Sequence, residues 1–309
     1  MSEVGETTFD VVGLGMVTLD ILTSVPRLPQ SNEVFGAQRI DMQGGGPVAT
    51  ALVALSRLGA RTAYVGSIAP DLWGEIALKE FDRFGVDTHW VVQRDSGTSV
   101  VSVILVEPEK GARAILYEKG RLPQLTEAEV PAELIQSARV LHLDGFHLPA
   151  ALRAAEIARQ AGVAVSLDGG AGQSWSRTRE LLSLVDILVV ARQFAQYITG
   201  YDDPEEAGPA LQTYGASQVA ITDGENGCWY WDANQHLFQP AFRVQVQDTT
   251  GAGDTFHGAY LYAWLQGWPP KCILEFASAV AALKCTQVGG RLGIPSLSQA
   301  LDFLEQHKV

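Results

Sequence analysis

The chain has 309 residues, of which 47% are hydrophobic and only 18% are charged. A polypeptide of this length and composition can bury a large apolar core, which excludes an intrinsically disordered protein. Lys and Arg number 22 against 35 Asp and Glu, which gives a net charge of −13 without any basic cluster. Nucleic acid and anionic membranes are therefore poor partners, although backbone N–H groups of an acidic protein can still bind an anion.

The sequence has the features of a protein from a reducing cytoplasm. No segment reaches the ~18 consecutive apolar residues of a membrane span. Residues 1–8 are polar and unlike a signal peptide. Cys228, Cys272 and Cys285 are widely spaced and odd in number, which favours three buried free thiols over disulfides or a metal site.

Short apolar runs alternate with helical stretches along the chain. Phe9–Leu14 is extended, and Pro47–Leu58 has apolar residues at three- and four-residue spacing, which predicts a helix. The same patterns predict, in chain order, strand Arg61–Ile68, helix Asp71–Phe84, strand Val140–Leu143, helix Ala150–Ala161, strands Val163–Leu167 and Ile187–Val190, helix Pro204–Tyr214, strand Gln218–Thr222, and helices Asp254–Leu265, Lys271–Leu283 and Ser298–Gln306. This repetition predicts an α/β fold, with a parallel sheet, helices on both faces and ligands at the carboxyl ends of the strands.

Three stretches break the strand–helix alternation and resemble antiparallel strands. They are Glu33–Asp41, Ser99–Val106 and Ala112–Tyr117, the last two joined by a turn at Glu107–Gly111. Alternating polar and apolar residues without a helical segment between them indicate a small antiparallel sheet. We expect a lid built from about residues 33–43 and 98–118, inserted in a single domain of residues 1–309.

The sharpest motif is Asp248-Thr249-Thr250-Gly251-Ala252-Gly253-Asp254-Thr255-Phe256, which opens an apolar helix. The small residues allow a tight turn, so the N–H groups of Gly251, Ala252 and Gly253 point outward and form an anion hole. Asp254 beside such a hole is a candidate general base toward a hydroxyl group. The alternative is an ordinary helix-capping acid after a glycine turn. The motif is not a P-loop, because no Lys follows Gly253.

Other glycine-rich stretches carry weaker signals. Gly13-Leu14-Gly15 follows the first strand, but Thr18 stands where the dinucleotide fingerprint needs glycine. Asp20, just past that strand, is either a sugar ligand or a solvated loop acid. Gly44-Gly45-Gly46-Pro47 opens a helix, either as a close backbone approach to a ligand or as a flexible entry. Thr222-Asp223-Gly224-Glu225-Asn226-Gly227 is either a nucleotide loop or an ordinary β-turn.

Two segments together resemble the signature regions of the ribokinase-like (PfkB) carbohydrate kinases. They are GGGPVATALVALSRLGARTAYVGSIAPDLWGE at 44–75 and DTTGAGDTFHG at 248–258. The order of the elements and the antiparallel lid agree with that family over nearly the whole chain. Within the family, the GGGP start and the stretch FASAVAALKCTQVGGRLGIP resemble the sulfofructose kinase and ketohexokinase branch.

The resemblance implies a ribokinase-like sandwich with a β lid and an ATP-dependent kinase that uses Mg2+. The γ-phosphoryl group would pass in line to a hydroxyl of a small, ketohexose-like sugar, with Asp254 as general base. The anion hole would be formed by Gly251, Ala252 and Gly253. Sugar-contacting positions are matched by Asp20, Gly45 and Gly46. Positions along the nucleotide are matched by Thr222, Gly224 and Gly227.

The resemblance also bears on ions and assembly. Asp248 and Thr250 match positions that hold a monovalent cation such as K+ in several members of the family. Lids in the family often pair across a homodimer, and the apolar lid strands of this chain allow that arrangement.

The chain departs from the family pattern at three places. Ala49 stands where many members carry an asparagine that helps to hold the sugar. The N-x-x-E motif, which orders Mg2+ and water, is replaced by Ala191-Arg192-Gln193-Phe194, although the sulfofructose and ketohexose enzymes lack it too. Val34 and Tyr117 occupy the lid positions associated with sulfonate recognition. A sulfonate needs cations or strong donors, so we expect a neutral sugar.

Three alternatives to a neutral-sugar kinase stay open. A nucleoside kinase of the same family is one. A phosphosugar kinase is another, and it would need lid cations, for which Arg39, Arg113 and Arg121 are the obvious suppliers. The third is a non-catalytic sugar- or nucleotide-binding regulator. The intact Asp254 argues against the third, because a binding protein does not need a base at that position.

Overall fold

The computed structural model describes residues 9–34, 36–37, 39–107, 109, 112–170 and 175–307. The polar residues 1–8 and most of the predicted turn at 107–111 lie outside this part of the chain. Among the described residues, no helix is both long enough and apolar enough to cross a bilayer.

The chain alternates strands and helices as follows. The strands are β1 (Phe9–Leu14), β2 (Thr18–Ser24), β3 (Arg39–Gly45), β4 (Thr62–Val65), β5 (Ser67–Ile68), β6 (Val92–Gln93), β7 (Val101–Glu107), β8 (Ala112–Glu118), β9 (Ala138–Leu143), β10 (Ala164–Asp168), β11 (Ile187–Ala191), β12 (Gln218–Thr222), β13 (Cys228–Trp231) and β14 (His236–Gln239). The helices are α1 (Pro47–Leu58), α2 (Leu72–Arg83), α3 (Ala132–Gln136), α4 (Leu148–Ala161), α5 (Trp175–Thr178), α6 (Arg192–Thr199), α7 (Pro204–Gln212), α8 (Ala252–Leu265), α9 (Pro270–Lys284) and α10 (Leu297–Gln306).

The main sheet has eight strands in the spatial order β14-β13-β12-β11-β10-β9-β1-β4. The six strands from β12 to β4 are parallel, as the strand–helix alternation predicts. The hairpin of β13 and β14 adds an antiparallel edge that the sequence analysis missed. The predicted α/β class is confirmed, and the carboxyl ends of the parallel strands lie along one edge.

The side chains of the central strands feed two apolar clusters, one on each face of the sheet. Val12 and Leu141 belong to the cluster that packs against α4 and α6, whereas Val11 and Val140 belong to the cluster that packs against α1, α8 and α9. Strands buried on both faces are continuous apolar runs, which is why they were readily predicted. Each fully buried side chain of this kind contributes about 1.5–3 kcal/mol of hydrophobic stabilisation.

A second sheet has four strands in the order β3-β2-β7-β8 and contains the segments expected for the lid, so we call it the lid sheet, or lid. Two predictions about the lid need correction, one on the start of its strand β3 and one on the position of Asp20. β3 runs from Arg39 to Gly45 and does not begin at Glu33. Thr18–Ser24 is a central lid strand, so Asp20 lies on a strand and not in a solvated loop. Only three residues separate β1 from β2, and this short connection concealed the change of sheet.

The register of the lid strands sorts their side chains onto two faces, because directly opposed residues share a face. One row consists of Gln43, Asp20, Ser102 and Tyr117, which we call the inner row. Its face also carries Leu22, which packs with Val288 of the main body. The next row, here called the outer row, consists of Met42, Ile21, Val103 and Leu116. Met42 and Leu116 are 53% and 61% exposed, so an apolar strip faces away from the main sheet.

Two smaller predictions also need correction. The strand expected over 61–68 is split at Gly66 into β4 and β5. Cys228 and Cys285 are buried and free, as expected, but the free thiol of Cys272 is exposed. Cys272 lies in the first turn of α9, on the side of the helix that faces outward.

Candidate active site

The two predicted glycine turns open α1 and α8, which pack directly against each other. Gly258 of α8 lies against Ala51 and Ala54 of α1, with no room for a Cβ atom between the helices. The C-terminal segment 289–291 fills the space between the two turns. Gly290 lies against Gly251, and Gly289 lies against Gln43 at the end of β3. The packing therefore brings two helix N-termini to one site.

The turn at 251–253 is a bare helix N-terminus. Gly251 has a φ of 70°, in the left-handed region that favours glycine, and it caps α8. The N–H of Ala252 donates to the carbonyl oxygen of Thr249 at 3.2 Å. In the part of the chain that the structure describes, the N–H groups of Gly251, Gly253 and Asp254 have no acceptor. A Cβ atom on Gly253 would meet nothing within 4 Å, so these donors face open space suited to an anion.

Asp254 is half-buried beside this helix N-terminus. Burial first, and then the carboxylates of Asp168 and Asp20, raise its pKa from 3.8 to about 8. The cations Arg291 and Lys284 act in the opposite direction. A carboxyl group whose pKa lies near neutrality is suited to accepting a proton from a hydroxyl group.

Asp20 and the turn at 44–46 lie together at the lid sheet, Asp20 on β2 and the turn at the end of β3. The buried Asp20 accepts a hydrogen bond from the hydroxyl of Thr18 at 3.0 Å. Gly45 abuts the Asp20 carboxylate, and a Cβ atom there would collide with it. Burial raises the pKa of Asp20, and hydrogen bonding by Thr18 and the charge of Arg291 partly offset that rise. The structure thus joins the predicted sugar residues, with Gly46 held against the backbone of Met16.

Arg291, which the sequence analysis did not single out, lies between the two turns and is fully buried. Its guanidinium donates to Gly45 O at 3.0 Å, through Nη2, and to Thr50 Oγ1 at 3.4 Å, through Nε. Burial lowers its pKa to about 10. A signal was present in the sequence, because Lys284 and Arg291 are the only charged residues between Glu275 and Asp302.

Two further acids missed by the sequence analysis lie where parallel strands end. Asp144, just after β9, accepts hydrogen bonds from the N–H groups of Met16 and Phe146 at 2.8 and 2.9 Å, and so fixes the connection between β1 and β2. Asp168, the last residue of β10, lies 3.4 Å from Nε2 of His257 on α8. Burial lowers the pKa of His257 to about 3, so this histidine is neutral. An acid directly after a buried parallel strand is the pattern that could have revealed both.

The predicted nucleotide loop connects β12 to β13. Thr222 ends β12 at the carboxyl edge of the sheet, and Gly224–Asn226 forms a single helical turn. A Cβ atom on Gly224 would meet nothing within 4 Å, whereas one on Gly227 would collide with Gln239 O. The hairpin itself therefore requires Gly227, and open space lies beside Gly224. No hydrogen bond among the described residues links Thr222 to the turn at 251–253.

The predicted cation position at Asp248 and Thr250 already has its oxygens engaged. The carboxylate of Asp248 accepts from Thr250 N and Oγ1 at 2.8 and 2.7 Å and from Gly289 N at 2.8 Å. The carbonyl oxygen of Asp248 accepts from Nζ of Lys284 at 2.9 Å. Protein donors therefore engage the carboxylate and the carbonyl oxygen of Asp248, and the ammonium group of Lys284 is one of these donors.

A Mg2+ ion would depend on the phosphates of the nucleotide. Within the described ranges, no group of three or more His, Cys, Asp or Glu residues could hold a metal. Where the family's acidic motif is replaced, Arg192 pairs with Asp202 and Asp223, and Phe194 is buried. Mg2+ commonly keeps several waters and binds through substrate phosphates, which is compatible with these residues.

Comparison with known proteins assigns the chain to a family. The pfkB family carbohydrate kinase profile matches residues 8–297. The chain belongs to that family. It is therefore an ATP-dependent sugar kinase, which is a phosphotransferase. The resemblance found in the sequence is confirmed for the family, and the sulfofructose kinase and ketohexokinase branch stays a prediction.

Relatives of this kinase match it along nearly its whole length. Ribokinase from Haemophilus influenzae is 31% identical over 303 residues, covering 94% of this chain and 97% of that protein. Fructokinase-1 from Zea mays is 30% identical over 322 residues, covering 96% and 98%. Arabidopsis thaliana ribokinase, solved with ribose and ATP, superposes with a TM-score of 0.83 at 24% identity, covering 96% of this chain and 99% of that one.

Proposed function

We propose that this kinase phosphorylates a neutral, ketohexose-like sugar by in-line transfer, with Asp254 as the general base. The observation that carries the proposal is the position of Asp254. Its carboxyl group, with a raised pKa, adjoins a helix N-terminus that has free N–H donors. Asp20 and Gly45 adjoin each other on the lid strands β2 and β3, and the charge of Asp20 contributes to the raised pKa of Asp254.

The residues of the chain divide the chemistry between them. ATP, when bound with Mg2+, supplies the γ-phosphoryl group. The N–H groups of Gly251 and Gly253 stabilise the negative charge that shifts during transfer. Asp254 orients the attacking hydroxyl and takes its proton. Open space beside Gly224 supports a nucleotide that lies along Thr222 and Gly227.

The side chains of the lid favour a neutral sugar over a sulfonated one as the substrate. Asp20 accepts hydrogen bonds from sugar hydroxyls, and Gly45 and Gly46 keep the backbone close. Val34 is wholly exposed, and Tyr117, at the edge of the inner row, offers only a neutral hydroxyl. A sulfonate that lost its water in this site without a cation would cost several kcal/mol.

A phosphosugar kinase is the second candidate, and one observation favours it. Arg113 of β8 donates a hydrogen bond to Oγ1 of Thr249, so one lid cation reaches the loop before α8. Arg39 pairs instead with Asp41 at 2.6 Å and is exposed. Of Arg39 and Arg113, Arg113 is therefore the better placed to hold a sugar phosphate.

A screen of ATP turnover over ketoses, aldoses, phosphosugars and nucleosides tests both candidates. We expect fructose or a similar ketohexose to give the highest kcat/KM and sulfofructose a clearly lower one. A preference for sulfofructose would contradict the neutral-sugar proposal. A preference for a phosphosugar, with a KM that rises in Arg113→Ala but not in Arg39→Ala, would establish the second candidate.

We also infer that two copies pair through the outer row of the lid. Apolar residues that lie in register and exposed on one face are typical of an interaction surface. Light scattering should give a dimer for the wild type and a monomer for Leu116→Glu. Leu72→Glu, at an equally exposed leucine on α2, is the control and should stay dimeric. A wild-type monomer at assay concentration would contradict the inference.

A further inference from the structure

Lys284 is a buried cation with no role in the proposed chemistry. It is the last residue of α9, where a lysine ordinarily complements the helix dipole from solvent. Here its side chain is fully buried. Burying an ammonium group costs several kcal/mol unless other groups compensate, so helix capping alone does not account for its position.

The ammonium group points at the loop that forms the anion hole. Nζ donates to the carbonyl oxygen of Asp248 at 2.9 Å, across 36 residues of chain. The Asp248 carboxylate holds Thr250 on one side and Gly289 on the other. Lys284 thus anchors the residue from which the turn at 251–253 begins.

The charge of Lys284 interacts with the carboxyl group of Asp254, the proposed general base. Burial lowers the pKa of Lys284, and the carboxylates of Asp248 and Asp254 counteract that effect. In turn, the positive charge of Lys284 acts to lower the pKa of Asp254. A fixed cation behind a phosphate-binding turn strengthens the attraction of that turn for an anion.

We propose that Lys284 replaces the monovalent cation that several family members bind at this position, so that this kinase needs no potassium. An ammonium group and K+ carry the same charge, have similar radii and both bind carbonyl oxygens. The ammonium of Lys284 is tethered, so dilution cannot remove it. The inference rests on the proposed function only in that the turn at 251–253 receives nucleotide phosphates.

Nucleotide binding and stability test the inference without any sugar. Binding of AMP-PNP with Mg2+ is measured by calorimetry, and thermal unfolding of the ligand-free protein is measured in parallel. Both use KCl or tetramethylammonium chloride at a fixed ionic strength of about 0.1 M, so that screening is equal. The proteins are the wild type, Lys284→Met and Lys271→Met, the last being the matched change at an exposed lysine of the same helix.

The wild type and Lys271→Met should bind the nucleotide equally in both salts. Lys284→Met should bind about tenfold more weakly in tetramethylammonium chloride. KCl should restore most of its affinity and raise its unfolding midpoint. Three results would overturn the inference: a potassium-specific gain in the wild type, unchanged binding by Lys284→Met, or a loss that potassium does not rescue. If Lys284→Met does not fold, the wild-type salt comparison decides alone. Normal nucleotide binding without turnover of any sugar would sink the proposed function and leave this inference standing.

Discussion

The two glycine turns of the site, at 44–46 and 251–253, open neighbouring helices, but the glycines at 44–46 and Gly253 serve opposite purposes. The first turn is filled by the protein itself. Cβ atoms on Gly44, Gly45 and Gly46 would collide with Arg291, Asp20 and Met16 in turn. At the second turn, the fold likewise requires Gly251, because its φ is 70° and a Cβ atom there would press on Gly290. Gly253, in contrast, faces empty space and has no positive φ.

The difference separates glycines that the fold needs from glycines that a ligand needs. A side chain at the first turn clashes with atoms present in every folded molecule, so it should cost stability. A side chain at Gly253 clashes only with what binds there, so it should cost activity. Each turn also adjoins one carboxylate, Asp20 at the closed turn and Asp254 at the open one. Four predictions test this contrast.

The largest effect is expected at the carboxylate of the open turn. Asp254→Asn should lower kcat by about 10²–10⁴-fold while nucleotide affinity stays close to that of the wild type, because the base is lost but the binding groups remain. Asp20→Asn is the matched change at the closed turn and should mainly raise the KM for the sugar. Steady-state kinetics and nucleotide titration measure both. An Asp254→Asn enzyme that kept about a tenth of the wild-type kcat would show that the base is assigned wrongly.

Gly253→Val should lower kcat/KM by about 10²-fold, because the new side chain blocks the approach of phosphate to the N–H donors. The free energy of unfolding should change by no more than about 0.5 kcal/mol, as at other open surface positions. Kinetics and denaturant unfolding of the same preparation test this prediction. A large loss of stability, or unchanged kinetics, would remove the distinction between the two turns.

Gly46→Ala should show the opposite pattern, which is a loss of stability. Its φ of 97° is unfavourable for alanine, and the Cβ atom would press on the carbonyl oxygen of Met16. We expect a loss of about 2–3 kcal/mol in the free energy of unfolding. Denaturant unfolding measures it directly. Wild-type stability would mean that the closed turn is as permissive as the open one.

The smallest expected effect is on how the free energy of unfolding depends on pH. Because the pKa of Asp254 is raised from 3.8 to about 8, the folded state keeps a proton that the unfolded chain has already lost. The stability from this proton is complete below about pH 4 and is lost as pH rises through about 8. Asp254→Asn should therefore be more stable than the wild type at about pH 8, by about 1–2 kcal/mol, after a discount for water that reaches the half-buried carboxyl.

Denaturant unfolding of the ligand-free proteins at several pH values tests this last prediction. Asp144 also has a raised pKa, but it is common to both proteins and cancels in the comparison. Asp20 and Asp168 interact with Asp254, so the pH dependence of the difference belongs to these three acids together. A stability difference that stays constant with pH would show that the pKa of Asp254 is not raised.

Local patterns predicted the parts of this fold that are themselves local. Helix α1 agrees with its predicted bounds because apolar spacing, Pro47 at its first turn and Gly59 after its end all coincide. β2 was missed because only three residues separate it from β1, and nothing in the local sequence records that the chain changes sheets. The motif around Asp254 was found because glycine spacing leaves a clear mark.

The cations of the site were missed for a different reason. Arg291 meets Gly45 across 246 positions of the chain, and Lys284 meets Asp248 across 36. Whether a charged side chain is buried depends on such contacts between residues far apart in the sequence, and no local pattern of residues records them. A nearly uncharged stretch that contains two isolated cations is the single hint that the sequence offers.

The alternation of faces in β2 constrains how this lid can change during evolution. Asp20 belongs to the inner row and Ile21 to the outer row, and the two are neighbours in the chain. Inserting or deleting one residue within Thr18–Ser24 would exchange the two faces from that point onward. The buried acid of the inner row and the apolar exterior are therefore inherited together. Descendant lids can vary in length at the ends of their strands or by two residues at a time, whereas a one-residue change within β2 keeps the two faces only where a β-bulge absorbs it.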